Sequence, residues 1–243
     1  MRVSVLALVG ILAVAPAAAQ VPDTFTNLKV LPDDITREQL LPIMRGFTEA
    51  LGIRCSTCHV GEEGQPLSEY DFASDDKEMK RTARTMLRMV RAINGEYLTE
   101  IGTDVQVECF TCHHGARHPQ RLEDVLVAAW RGGGPDSLVR AYQGYRDQYY
   151  GRAVFDFGPR TLIATGQQLA QLPDGVPAAV RTLQLQTSTF PDEGLGWVVL
   201  GQALAASGDT AGAITAVERG ETLLGPSRFT TGLLRRLRGG GGT

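Results

Sequence analysis

The sequence predicts a mainly α-helical protein with two consecutive parts. Apolar residues recur at the spacing of an amphipathic helix in both halves of the 243-residue chain, and capping residues, Gly or Pro bound these stretches. The halves differ in chemistry, because every cysteine and histidine lies before position 119. We therefore expect the functional groups in a first domain, residues 20–120, and a helical repeat-like domain in residues 121–243.

Composition excludes several classes of protein. With 43% hydrophobic and 21% charged residues, the chain has the composition of a folded domain rather than of a disordered segment. Its net charge of -3 argues against nucleic-acid binding, which usually requires a basic surface. Residues 20–120 contain 11 Lys and Arg against 16 Asp and Glu, so we expect a protein partner with a basic docking face.

The first 19 residues predict a cleaved signal peptide. Arg2 precedes an apolar run, and small residues follow it up to Ala19. The run is shorter than the roughly 20 apolar residues that a membrane-spanning helix needs. We therefore expect an exported, periplasmic protein in an oxidising compartment, where idle thiols do not persist.

All four cysteines occur in two copies of the motif C-x-x-C-H, at residues 55–59 and 109–113. This spacing is the attachment signature of c-type haem, in which two thiols bond the porphyrin and the adjacent imidazole ligates the iron. The motifs predict two covalently attached haem c groups. Their attachment and proximal residues are Cys55, Cys58 and His59 for the first haem, and Cys109, Cys112 and His113 for the second.

Three other interpretations use the same cysteines. A zinc site would need the four thiolates together, but the gap between Cys58 and Cys109 is much longer than the usual spacing of about 15–20 residues. Thioredoxin-like redox pairs and structural disulfides would not require a histidine after each second cysteine. Covalent haem is the interpretation that uses every residue of both motifs.

The methionines are the candidates for the sixth iron ligand. A capping box at Thr36 and a stop at Gly52 predict a helix that carries Met44 on its apolar face, 11 residues before Cys55. Spacing alone leaves Met44 open between ligation and packing. A second helix is predicted from residues 75–78 to Asn94 and Gly95, and its Met86 and Met89 are equal candidates by spacing.

Other side chains are weaker candidates. Met79 on the second helix is expected to pack in the core. His114 and His118 lie so close to His113 that reaching the opposite side of a haem would require a sharp chain reversal. We expect these two histidines to face solvent or a haem carboxylate.

The N-terminal part resembles the cytochrome c subunit of photosynthetic reaction centres, over roughly residues 27–115. The resemblance rests on both C-x-x-C-H motifs, on a helix with a methionine before each motif, and on the stretch from Ala83 through Met86 and Met89 to Asn94. It implies that Met44 is the sixth ligand at His59, and Met86 the sixth ligand at His113. Photosynthetic members carry four haems, whereas this chain has two attachment motifs and is similar to half of such a protein.

Helical hairpins are predicted for the C-terminal half. Pairs are expected at residues 122–130 with 135–150, and 160–172 with 177–189, and a third pair begins at Trp197. The pattern from Trp197 through Gly201 and Gly208 to Val217 resembles one tetratricopeptide unit. This domain is either a groove that binds a protein or peptide partner or a cover for one side of the first domain. Residues 235–242 are expected to fray.

Together these observations predict an electron carrier with two His/Met-ligated haems, since a six-coordinate iron leaves no position for a substrate. Its redox partner could belong to a photosynthetic or respiratory membrane complex. One alternative is a peroxidase-like haem enzyme or gas sensor with one open iron, and another is a tetratricopeptide-type adaptor. Seven acidic residues from the first haem motif to the start of the second helix are either a solvated face or a docking surface: Glu62, Glu63, Glu69, Asp71, Asp75, Asp76 and Glu78.

Overall fold

The computed structural model describes residues 21–22 and 24–239 and confirms a mainly α-helical fold. That part of the chain contains α-helices and no strand, apart from an isolated bridge between Val60 and Asp71. It divides into two compact units, a first that ends at Cys112 and a second that begins at His113. The predicted domain limits, 20–120 and 121–243, stay a prediction, and the predicted signal peptide lies outside the described residues.

The first unit consists of short helices joined by irregular segments. A 3₁₀ turn, Leu67–Glu69, and a π-helical turn, Ile93–Tyr97, lie between them. The last residue of the fifth helix begins the second unit. The helices are α1 (Arg37–Leu51), α2 (Cys55–Cys58), α3 (Glu78–Ala92), α4 (Leu98–Ile101) and α5 (Cys109–His113).

The predicted capping box at the start of α1 is confirmed. The Gln39 backbone N–H donates to Thr36 Oγ1 at 3.4 Å, and the Thr36 backbone N–H donates to Gln39 Oε1 at 2.9 Å. The helix ends at Gly52, whose φ of 61° is in the left-handed region that glycine adopts without strain. Local residues therefore define both ends of the helix that carries Met44.

The predicted end of the second helix is wrong. The chain does not leave the helical path at Asn94 and Gly95 but continues through the π-helical turn into α4, which ends at Gly102. One glycine in a helix costs only about 1 kcal/mol, which tertiary contacts can outweigh. The Asn94 side chain also binds the backbone of Val107 rather than its own helix end.

The second unit is a succession of helices in which each contacts the next. Its core contains the fully buried Leu126, Leu162 and Leu183. The helices are α6 (Leu122–Tyr149), α7 (Pro159–Ala170), α8 (Val176–Thr189), α9 (Gly194–Ala206), α10 (Thr210–Leu224) and α11 (Arg228–Arg238). The predicted break within the first pair is confirmed, since the backbone of α6 is non-helical at Gly133 and Gly134.

The expectation of a frayed C-terminus is wrong for residues 235–238. Ser227 and Thr230 form a capping box at the start of α11, and Leu233 and Leu234 are buried. Arg238 also forms an ion pair with Glu218 on α10. A cap, buried apolar contacts and an ion pair together keep these residues in the helix.

We expect Gly201→Ala to destabilise the second unit. A Cβ atom at this position in α9 would lie 2.5 Å from Val217 Cγ2 and 3.0 Å from the backbone oxygen of Ala213, so α9 and α10 would have to separate. The free energy of unfolding should fall by about 1–3 kcal/mol, the usual cost of overpacking. Thermal unfolding measures this loss, and Gly144→Ala is the matched control because its Cβ meets no atom within 4 Å. Equal melting temperatures in the two variants would contradict the close approach.

Candidate haem-binding sites

The first C-x-x-C-H motif opens onto a cavity of about 550 Å³ in the first unit. Cys55, Cys58 and His59 line this cavity, and so does Met44 from α1. The volume lies within the roughly 300–1,000 Å³ range of ligand pockets in proteins. The structure thus brings all four predicted residues of the first haem site to one cavity.

The cavity wall is mostly apolar. It is formed by the irregular segment before α1, by α1 and α2, and by one face of α3, which contacts α2. Apolar side chains of this kind would keep water from a bound ligand. They include Phe25, Leu28, Leu31, Leu40, Leu41, Phe47, Leu51, Phe72 and Leu87.

His59 has the environment expected of an iron ligand. Its backbone N–H donates to the Cys55 oxygen at 2.9 Å, and its ring lies edge-on to Phe72 with centroids 4.9 Å apart. Its buried Nδ1 has no hydrogen-bond partner among the described residues. Burial, and then the positive charge of Lys80, lower the pKa of His59, which favours the neutral imidazole that binds metals.

Two cations of α3, Lys80 and Arg84, also line the cavity. The Lys80 ammonium donates to the backbone oxygens of Phe72, Ala73 and Ser74 at 2.8, 3.0 and 2.7 Å. It therefore holds the loop that carries the ring in contact with His59.

Arg84 joins the irregular N-terminal segment to α3. Its Nη1 donates to Asp75 Oδ1 at 2.7 Å, and its Nη2 donates to the Asn27 backbone oxygen at 2.8 Å. These bonds use two of the five N–H groups of a guanidinium. Arg84 thus fastens the segment that forms one wall of the cavity.

Asp75 is the anion at the centre of this cluster. It accepts hydrogen bonds from Lys29 Nζ at 2.6 Å and from Asn27 Nδ2 at 2.9 Å, in addition to that from Arg84. Bonds from Lys29, then Asn27, hold the pKa of this carboxyl well below its usual range. The prediction that Asp75 belongs to an open acidic face is therefore wrong, because three cations surround it: Lys29, Lys80 and Arg84.

The second motif forms the one-turn helix α5. Cys109 is half-buried, and burial, followed by the charge of Glu108, raises the pKa of its thiol, whereas Cys112 is exposed. His113 Nδ1 lies 3.0 Å from the Ala116 backbone oxygen. A carbonyl oxygen only accepts, so Nδ1 carries the proton and Nε2 keeps the lone pair that a metal would take.

Met86 and Met89 lie on the side of α3 that faces away from the first cavity. Lys80, Arg84 and Leu87 mark the cavity side, and the 3.6-residue period places the two methionines elsewhere around the helix. Met86 is 40% and Met89 is 47% exposed, and Phe110 within α5 is 47% exposed. The structure gives no preference between the two methionines as ligands of the second haem.

The remaining candidates fall outside the first cavity. Met79 is half-buried, as expected of a packing residue, and His114 and His118 are exposed, as predicted. Sequence reasoning missed Lys80 and Arg84 as cavity residues, although their four-residue spacing on one helix face was an available signal. It also missed Asn27 and Asn94, whose partners lie far away in sequence.

The described residues contain neither a ready-made cluster of metal ligands nor a membrane-spanning helix. No group of three or more His, Cys, Asp or Glu side chains there could hold a metal ion by itself. In the same part of the chain, no helix combines the length and apolar character that crossing a membrane requires.

The chain is similar in sequence to known cytochromes. Residues 7–127 match the family model of the photosynthetic reaction centre cytochrome C subunit. A segment of 107 residues is 35% identical to cytochrome c-554 of Chloroflexus aurantiacus, covering 43% of this chain and 23% of that protein. The chain therefore spans about a quarter of the length of that relative. No solved structure matches the chain. The chain is therefore a photosynthetic reaction centre cytochrome-like protein.

Proposed function

We propose that this protein is a periplasmic electron carrier with two covalent haem c groups. The observation that carries the proposal is the common cavity of Met44, Cys55, Cys58 and His59. The iron of each haem would take up and release one electron, and His/Met ligation favours a high reduction potential. The protein's own residues attach, orient and desolvate each group.

At the first site, Cys55 and Cys58 would form the thioether bonds, and His59 and Met44 would ligate the iron. The four residues fit this cofactor, because they line one cavity whose wall is mostly apolar. A haem also carries two carboxylates, which require cations. Arg84 and Lys80 supply positive charge on the cavity wall, so we assign them to the carboxylate edge of the ring.

At the second site, Cys109 and Cys112 would attach the haem, with His113 and Met86 as ligands. The fixed Nδ1 proton of His113 supports this role, since it directs Nε2 to the metal. Exposed Met86, Met89 and Phe110 offer the apolar surface that a bound ring would cover.

The proposed partners are redox proteins, including a membrane complex, reached after export with a cleaved signal peptide. Six acidic residues of the predicted face are exposed, namely Glu62, Glu63, Glu69, Asp71, Asp76 and Glu78. The helical second unit would offer a tetratricopeptide-like surface to a protein or peptide. Neither proposal involves nucleic acid.

We expect electron transfer to a basic redox partner to slow as ionic strength rises. Screening weakens the attraction between the acidic face and a basic surface, and the Debye length falls to about 8 Å at 0.15 M salt. Stopped-flow rates of the wild type and of the double variant Glu62→Gln/Glu69→Gln measure the effect. The salt dependence should be shallower in the variant, and identical slopes would show that this face does not guide docking.

The proposed function is tested on the full-length protein matured with haem. Its mass should exceed that of the mature polypeptide by two haem groups, and the ferric protein should show the near-infrared charge-transfer band of Met-ligated haem. Carbon monoxide should leave the reduced spectrum unchanged, because both irons are six-coordinate. A carbon monoxide-reactive fraction would instead favour the haem enzyme or gas sensor. A single haem would overturn the dihaem assignment.

A further inference from the structure

Asn94 makes an unusual pair of contacts within the first unit. Its side-chain Nδ2 donates to the Val107 backbone oxygen at 2.9 Å, and its Oδ1 accepts from the Val107 backbone N–H at 2.8 Å. One side-chain amide thereby satisfies both polar backbone groups of a residue 13 positions away. Val107 stands two residues before Cys109, the first attachment residue of the second haem motif.

The local backbone is shaped to make this contact. Asn94 lies in the π-helical turn Ile93–Tyr97, where one extra residue per turn changes the direction of the side chains that follow. The Thr99 hydroxyl donates to the Asn94 backbone oxygen at 3.1 Å, which is a second contact that holds this turn. Such π-helical turns are frequent at functional sites.

The segment between α4 and α5 is held in position by hydrogen bonds from outside the segment. It is irregular, and its Val105 is 64% exposed, as is Ile101 at the end of α4, at 73%. Such a segment has little apolar burial to fix its position. The paired bonds from Asn94 connect it to the end of the helix that carries Met86 and Met89.

We propose that Asn94 is a positioning residue of the second haem site, where its amide fixes the distance between the attachment motif and the methionine-bearing helix. Met86 lies eight positions before Asn94, about 12 Å along the helix axis, and Cys109 lies two residues after Val107. The Asn94–Val107 contact thus ties together the two ends of the chain segment between Met86 and Cys109. This inference rests on the proposed dihaem function.

The test compares Asn94→Leu and Asn94→Asp with the wild type in the full-length matured protein. Leu has a similar volume and makes neither hydrogen bond, whereas Asp keeps the acceptor for the Val107 N–H and loses the donor to its oxygen. In the Leu variant we expect the near-infrared band to fall to about half, and one haem of two to bind carbon monoxide, because one methionine ligand is lost. The Asp variant should lie between Leu and the wild type.

The first haem and a neighbouring amide serve as controls. The redox wave of the first haem should not move, since the Asn94 side chain bonds Val107, which does not line the first cavity. Gln106→Leu removes an exposed amide one residue from the same backbone and should leave both haems unchanged. An unaltered band in Asn94→Leu, or equal changes at both haems, would overturn the inference. A wild type with one haem would instead overturn the proposed function.

Discussion

Met44→Ala is expected to open the iron of the first haem. Met44 shares a cavity with His59, Cys55 and Cys58, so its thioether is the available soft ligand on that wall. Without it, one haem of two should bind carbon monoxide, and about half of the near-infrared Met–iron band should disappear. The potential of that haem should fall by on the order of 0.1 V, a part of the roughly 0.8 V range that axial ligands span.

Spectroscopic redox titration with and without carbon monoxide measures these changes. Met79→Ala is the matched control, because Met79 is half-buried on α3 and does not line the first cavity. It should alter stability without opening an iron. A Met44→Ala protein that keeps the full band would show that another residue ligates the first haem, and Met44 would then be a packing residue.

Much of the first site could be predicted because its signals are local. The two cysteines and the histidine are adjacent in sequence, and the ends of α1 follow from Thr36, Gln39 and Gly52 within the same 17 residues. The apolar face of such a helix fixes where Met44 points. Each of these features depends on spacing of a few residues, which a single sequence displays.

The charged part of the site could not be predicted in the same way. Asn27 binds Asp75 across 48 positions, and Arg84 binds the Asn27 backbone across 57 positions. No local pattern encodes these contacts, because they arise only when the N-terminal segment folds over α3. The sequence shows Asp75 merely as one of seven acids, whereas the structure places it among three cations.

The end of α3 shows a related limit. Asn94 and Gly95 are ordinary stop signals, yet the helix continues because the Asn94 amide binds Val107 and the chain adopts a π-helical turn. A residue that can cap its own helix can equally bind a distant backbone group. Only the tertiary structure distinguishes these two uses.

The cluster beside the first cavity predicts shifts of opposite sign in the reduction potential of the first haem. Ferric haem carries one more positive charge than ferrous haem, so a nearby cation raises the potential and a nearby anion lowers it. Arg84→Gln should therefore lower the potential and Asp75→Asn should raise it, each by on the order of tens of millivolts, given partial solvent screening. Lys29→Gln, at the exposed edge of the cluster, should have a smaller effect in the direction of Arg84→Gln.

Opposite signs separate an electrostatic role from a structural one. If Asp75 and Arg84 only held the N-terminal segment in place, losing either would admit water to the haem and shift both variants the same way. The difference in reduction potential between Asp75→Asn and the wild type should also be constant between pH 5 and pH 8, because Asp75 stays ionised throughout this range. Because the pKa of Asp75 is depressed, its carboxylate protonates only as pH falls well below 3.8, its ordinary value. Potentiometric titration of both variants at several pH values measures these potentials. Shifts of equal sign would show that Asp75 and Arg84 only keep water out of the cavity.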